Sequence, residues 1–253
     1  MIAMRIRITL QGVEGNITLP IHYNHALQGF IYNNLSDSLS NTLHNNGFRV
    51  NKKNFKLFTF SNILQHGKRV GDKLEFGETV SFFFSSPIKT IIEDISNNLA
   101  IKDRGVLWNN YVVCTNIKKY KTPYFQDIVT IQTLSPITIH TTFLEEEDRV
   151  NYYYKPTQRK FNQLITKNAL NKYNAWAQAT GHKPLQYGEI QLIPKQYNPK
   201  FDTKYVYYKN TLVIGSTGMF ELHGTPRLIW ITYETGLGDK NSQGFGMWEL
   251  VVS

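Results

Sequence analysis

Apolar positions along the chain switch between two periods. Residues 4–12 alternate polar with apolar, the signature of a half-buried strand, while residues 25–35 place Leu27, Ile31, Asn34 and Leu35 at helical spacing beside Phe30. Ser36-Asp37-Ser38 supplies N-cap chemistry, and a shorter periodicity through Leu39 and Leu43 predicts a second helix ending near Gly47. Strand-like runs at 56–61 and 79–85, a helical stretch at 88–99 and a strand around 106–117 complete a series β, helices, β, β, α, β. The second half repeats the order. A strand at 128–141 precedes a long helical pattern from Thr157 to about Ala179, ended by Gly181 and Pro184. Strands at 189–194 and 205–215, a short helix at 226–234 and a last strand at 245–252 follow. Two successive βαββαβ units predict an α+β protein of two tandem ferredoxin-like (RRM-like) domains, residues 1–122 and 123–253, divided near Pro123. Sheets of this kind serve RNA recognition, enzymes and metal transport alike, so the fold leaves function open.

Composition narrows the choice. The 253 residues are 41% apolar and 13% aromatic, enough for real cores and against disorder. Cys114 is the only cysteine, which excludes a disulfide framework and Cys-rich zinc or iron–sulfur sites; it reads as a small buried hydrophobe in a protein of a reducing compartment. No apolar run approaches the roughly 18 residues that span a bilayer, and the alternating N-terminus is unlike a signal peptide, so a soluble, cytoplasmic protein with no membrane partner is expected. The net charge of +9 points to an anionic partner. Between Lys155 and Lys209 ten basic residues face only Glu189 and Asp202. Tyr173, Trp176, Tyr187, Tyr197, Phe201, Tyr205, Tyr207 and Tyr208 lie among them, an interleaving of cations for phosphates with rings for unstacked bases. The acidic run 145–148 is expected in a loop turned away from such a partner.

The most distinctive segment is Gly236-Leu237-Gly238-Asp239-Lys240-Asn241-Ser242-Gln243-Gly244-Phe245-Gly246, between a short helix and the last strand. So many glycines are entropically costly unless the backbone must take positive φ or let another chain approach closely. Free N–H groups beside Lys240 and Ser242 would form a phosphate cradle; the alternative is a loop that packs two sheets together. It is neither GxxxxGK[ST] nor GxGxxG, which argues against nucleotide hydrolysis and dinucleotide binding. Neither HExxH nor G-x-S-x-G occurs, so neither a metal, nor another cofactor, nor an acyl-transfer nucleophile is indicated. What remains is acid–base chemistry by His, Tyr and Lys, sufficient for RNA because the 2′-hydroxyl is an internal nucleophile.

Tyr23-Asn24-His25-Ala26-Leu27-Gln28-Gly29-Phe30-Ile31-Tyr32-Asn33, Lys56-Leu57-Phe58-Thr59-Phe60-Ser61, Thr133-Leu134-Ser135-Pro136-Ile137 and the glycine-rich segment, in that order, resemble the CRISPR-associated repeat-processing endoribonucleases of the RAMP superfamily, the "Cas six" family. The resemblance runs from end to end. It implies tandem ferredoxin-like domains, the repeat of a CRISPR precursor RNA as substrate, and metal-independent cleavage leaving a 2′,3′-cyclic phosphate (or 3′-phosphate) and a 5′-hydroxyl. It also implies a catalytic set of Tyr32, His44 and Lys56, with His25 as the rival to His44. His44 would donate or accept a proton, Tyr32 would orient or deprotonate the 2′-hydroxyl, and Lys56 would oppose phosphorane charge. On one unbroken helix Tyr32 and His44 would stand about 18 Å apart, too far to serve one phosphate, so a break near Ser36–Ser38 is required.

For RNA contacts the expected residues are Gly236, Gly238, Lys240, Asn241, Ser242, Gly244, Phe245 and Gly246 in the loop. Arg159 and Lys160 join them at the start of the long helix, with Lys195, Lys200, Lys204 and Lys209 around the second hairpin. The competing function is a non-catalytic repeat-RNA-binding subunit of a CRISPR effector complex. In either case the expected partners are the repeat RNA and subunits of an effector complex, with the protein itself a monomer or homodimer. Generic single-stranded RNA binding is disfavoured because no RNP1-like string is present.

Overall fold

The computed structural model describes residues 3–145 and 148–251. In the first half β1 (Ala3–Gly12), β2 (Thr18–Pro20), α1 (Asn24–Asn33), α2 (Asp37–Asn45), β3 (Phe48–Val50), β4 (Lys53–Phe55) and β5 (Thr59–Phe60) are followed by β6 (Lys68–Val70), β7 (Lys73–Glu75), β8 (Thr79–Ser85), α3 (Lys89–Ile101), β9 (Gly105–Leu107) and β10 (Asn110–Lys121). Strand order β5-β8-β1-β10, with β9 added at the edge, is that of a ferredoxin-like sheet. Alternation in β1 sends Ile6, Ile8 and Leu10 into a core shared with Phe82 and Phe84 of β8, Leu27, Phe30 and Ile31 of α1, and Ile91 and Ile95 of α3.

The second half contains β11 (Ile128–Thr133), β12 (His140–Glu145), β13 (Asp148–Tyr153), α4 (Arg159–Thr180), β14 (Ile190–Gln196), α5 (Pro199–Asp202), β15 (Thr203–Tyr208), β16 (Thr211–Ser216), β17 (Met219–Gly224), α6 (Pro226–Thr235), a 3₁₀ turn (Asn241–Gln243) and β18 (Trp248–Leu250). Its sheet runs β14-β17-β11-β18, again ferredoxin-like. Gly181, at φ 71°, ends α4 as expected of a left-handed cap. One of the two inner strands of this sheet, beside β11, is β17, which the hydropathy pattern does not single out. The run at 205–215 assigned to that position instead folds as the separate hairpin β15–β16, turned at Lys209 with φ 53°. The run at 128–141 likewise divides at Ser135-Pro136 into β11 and β12. Glu145 and Asp148 close the hairpin β12–β13; the acidic residues between them lie outside the described residues. Cys114 is half-buried on β10 instead of fully buried. No helix among the described residues is long and apolar enough to cross a membrane.

The two halves share buried polar groups. Arg5 of β1 donates to the carbonyls of Trp248 (2.8 Å) and Tyr233, and its guanidinium lies 3.5 Å from the centre of the Tyr233 ring. Glu234, fully buried, accepts from Ser85 and Thr122. Burial pushes the Arg5 pKa down and the Glu234 pKa up, so these hydrogen bonds offset a desolvation cost that a loose seam would not sustain. Helix α4 crosses the junction: Ala175 packs in the first core and Phe161, Ile165 and Ala169 in the second.

Candidate active site

The α1–α2 break comes from side chains that take over backbone bonding. Asn34 is buried and donates from Nδ2 to the Phe30 carbonyl (2.7 Å), while Asn98 and Lys102 donate to the Asn34 and Asn33 carbonyls (3.2 and 2.7 Å). These contacts satisfy the end of α1. The Ser36 backbone N–H donates to Asp94 (2.8 Å), and Ser36 begins α2 without using its hydroxyl as a cap. The chain therefore turns at residues 34–36, just before the expected Ser36–Ser38. As a result, the rings of Tyr32 and His44 meet edge to face, with centroids 6.3 Å apart. His25 lies seven residues before Tyr32, about 10 Å along the helix axis, and its ring packs against Trp108 instead.

Lys56 reaches the same place from the strand side. Its Nζ donates to the carbonyls of Leu43 and His44 (2.7 Å to the latter), capping the C-terminus of α2 where the helix dipole favours a cation. Burial lowers the Lys56 pKa. Burial, with Tyr208 adding to it, pushes Tyr32 up to about 12, so its phenol is a neutral donor at physiological pH. His44 is solvent-exposed, with Nδ1 3.1 Å from Asn45 Oδ1. Tyr32 also packs on Phe58, which fixes its ring.

Beside Lys56 opens a cavity of about 370 Å³ at the domain junction, walled by residues 53–58, by Asn168 and Lys172 of α4, and by the glycine-rich loop including Lys240 and Ser242. The loop is a packed connector. A side chain at Gly238 would put Cβ 2.1 Å from the Thr138 carbonyl oxygen, and one at Gly244 would meet Phe60 of the other domain at 2.5 Å. Asn24 of α1 donates to the Gln243 and Gly244 carbonyls (3.0 and 3.2 Å), and Gln28 to that of Ser242 (2.6 Å). Asn241 and Phe245, expected among the RNA contacts, are turned inward: Asn241 donates to the Leu237 and Phe245 carbonyls (3.0 and 2.9 Å), and Phe245 is fully buried. Gly236, Gly238, Gly244 and Gly246 are buried too. Of the loop residues expected to contact RNA, Lys240 and Ser242 line the cavity without being buried, beside the half-buried Asp239.

The remaining expected contacts scatter. Arg159 and Lys160 are exposed at the start of α4, Arg159 over a cleft against β14. Lys195 is paired with Glu221 (3.0 Å). Lys204 donates to the Phe201 carbonyl (2.8 Å), Lys200 lies over the Phe201 ring, and Lys209 is exposed at the hairpin turn.

Two features escaped the sequence reading. Lys172, one of the ten basic residues counted between Lys155 and Lys209, is buried, and its Nζ donates to the carbonyls of Gly236 (2.8 Å) and Gly238 (2.7 Å). Burial lowers its pKa to about 7 against the opposing pull of Asp239. Asp239 accepts from Asn168 (2.9 Å) and from the His140 backbone (3.2 Å), tying the loop to α4 and β12. Lys172 follows Ile165 and Ala169 at helical spacing, the available signal that it faces inward. The second feature is Tyr208 on β15, whose hydroxyl donates to Gln28 and so joins the β15–β16 hairpin to α1 and the loop.

Two ferredoxin-like sheets joined by a glycine-rich loop place the chain among the tandem-domain RAMP proteins. Family models make the assignment specific: CRISPR-associated protein Cas6, N-terminal, matches residues 18–118, and CRISPR associated protein Cas6, C-terminal, matches residues 118–250. The chain belongs to the Cas6 family. It is 29% identical to the CRISPR-associated endoribonuclease Cas6 of Pyrococcus furiosus, over 96% of this chain and 89% of that one. It is also 29% identical to the CRISPR-associated endoribonuclease Cas6 1 of Methanocaldococcus jannaschii, over 97% and 92%. In fold it matches the structure of a Cas6-related protein from Pyrococcus furiosus with a TM-score of 0.80 at 22% identity, covering 98% of each chain.

Proposed function

We propose that this protein is an endoribonuclease that cuts CRISPR precursor RNA within the repeat, without a metal ion, and releases guide RNAs for an effector complex. The observation that carries this reading is the Tyr32–His44 ring pair, 6.3 Å between centroids, beside a lysine and a basic cavity. The 2′-oxygen attacks the adjacent phosphorus as the bond to the 5′-oxygen breaks, giving a 2′,3′-cyclic phosphate and a 5′-hydroxyl. His44 takes the 2′-proton. Tyr32, held neutral, hydrogen-bonds the departing 5′-oxygen and supplies its proton, which the His44 imidazolium restores. Lys56 and Lys240 oppose the charge of the pentacovalent phosphorane. Asp239 is the one acidic group lining the cavity, and both of its oxygens already accept hydrogen bonds, which fits general acid–base chemistry.

The test is single-turnover cleavage of a repeat RNA in excess EDTA. One cut, yielding a cyclic phosphate, is expected; a requirement for added divalent ion overturns the metal-free mechanism. A non-catalytic repeat-binding subunit is the second reading, favoured by Lys56 being engaged as a helix cap. It predicts tight repeat binding with no cleavage by the wild type.

A further inference from the structure

At the other end of α4 from Arg159 and Lys160, a second cavity of about 550 Å³ lies between the linker after β10, the C-terminal half of α4 and the start of α6. Its walls are rings. Trp176 and Trp230 meet edge to face at 4.6 Å, Tyr173 packs on both, and Tyr124 of the linker is 90% exposed. His182 lies nearly flat on Trp176, 4.4 Å away and inclined by 29°, so a planar heterocycle already stacks on this wall. Lys183 and Arg227, both exposed, stand at the rim, and no acidic residue lines the cavity. The volume is in the range of pockets that hold a single small ligand.

Flat apolar faces with cations at their edge match a planar base attached to a phosphate. A neutral apolar side chain from a protein partner would gain nothing from the two rim cations. We propose that this pocket is a second nucleotide-binding site, holding one unstacked base of single-stranded RNA with its phosphate against Arg227 and Lys183. The inference rests on the reading of the protein as one that handles RNA. Because α4 contributes Lys172 to the junction cavity and Tyr173 and Trp176 to this pocket, the two sites sit on one rigid element.

The test uses hexa-adenylate RNA and intrinsic fluorescence in a Trp108→Phe background. Trp248 is fully buried, so Trp176 and Trp230 become the only reporters open to a stacking base. Saturable quenching is expected, with the apparent Kd weakened about tenfold or more by Arg227→Ala combined with Lys183→Ala. Both residues are exposed, so the fold should be retained, which circular dichroism checks. No quenching, or quenching that the double variant leaves unchanged, overturns the site and leaves the pocket to a protein partner. Repeat cleavage, measured in parallel, separates the two claims: quenching without any cleavage removes the nuclease reading and keeps the pocket, whereas cleavage without quenching does the reverse.

Discussion

Replacing Lys172 by methionine should flatten the pH dependence of stability, because the native fold holds this amine with a pKa of about 7 against 10.5 for a free lysine. The sign follows from which state binds more protons. Between pH 7 and 10.5 the unfolded chain keeps a proton that the native chain has released, so unfolding becomes less favourable as pH rises. Well below pH 7 both states are protonated and this slope disappears. Integrated from pH 7, where Lys172 is half protonated, to pH 9, the gain is about 2 kcal/mol. Methionine keeps the aliphatic stem but leaves the Gly236 and Gly238 carbonyls without their donor, a cost of about 1–3 kcal/mol each that is independent of pH. The assay is urea unfolding of both proteins at pH 7 and pH 9, followed by circular dichroism. The stability difference, wild type minus variant, should grow by about 2 kcal/mol toward pH 9. A constant difference would show that Lys172 does not titrate in this window and would refute the account of the buried amine.

Other perturbations address the loop and the charges. Because burial lowers the Lys56 pKa, its charge is lost below the ordinary 10.5, so cleavage should fall on the alkaline side before that pH; Lys56→Arg should move the fall upward in a single-turnover pH profile. Gly238→Ala, at φ 72° with Cβ 2.1 Å from the Thr138 oxygen, should destabilise the protein by about 3 kcal/mol or more, visible as a lowered urea midpoint. Arg159→Ala with Lys160→Ala should weaken repeat binding and reduce the slope of log K against log salt by about 0.7 for each phosphate no longer neutralised, while the rate at saturating RNA is unchanged.

Where periodicity and local chemistry agree, the architecture was legible: the strand at 79–85 has the expected bounds, and the two short helices meet at a break. The inner strand β17 was missed because Met219–Gly224 is short and mixed in character, next to a longer β-rich run at 205–215. That run pairs with itself because Lys209 and Asn210 make a tight turn within it, a local preference that hydropathy does not record. At the candidate site, Tyr32 and Lys56 stand in the ordered motifs and His44 at the end of the helical segment between them. Their mutual approach depends on Asn34 folding back onto Phe30, which no motif encodes. The glycine loop was recognisable as special, yet the reason for its glycines lies in neighbours distant in sequence: Thr138, Phe60 and Asn24 press on it from both domains. Lys172 looked like one more cation in a basic stretch because charge counting ignores which helix face a residue occupies.

The central claim is that Tyr32 and His44, brought together by the α1–α2 break, cut RNA through its own 2′-hydroxyl. It is tested most directly by incubating the protein in excess EDTA with a labelled repeat RNA, beside the same RNA carrying a 2′-deoxy sugar at the cut and beside His44→Ala. Cleavage at one position is expected, abolished by the deoxy sugar and slowed by about 10²–10⁴-fold in His44→Ala with binding retained. Cleavage of the 2′-deoxy RNA, or a His44→Ala rate equal to that of the wild type, would contradict the account.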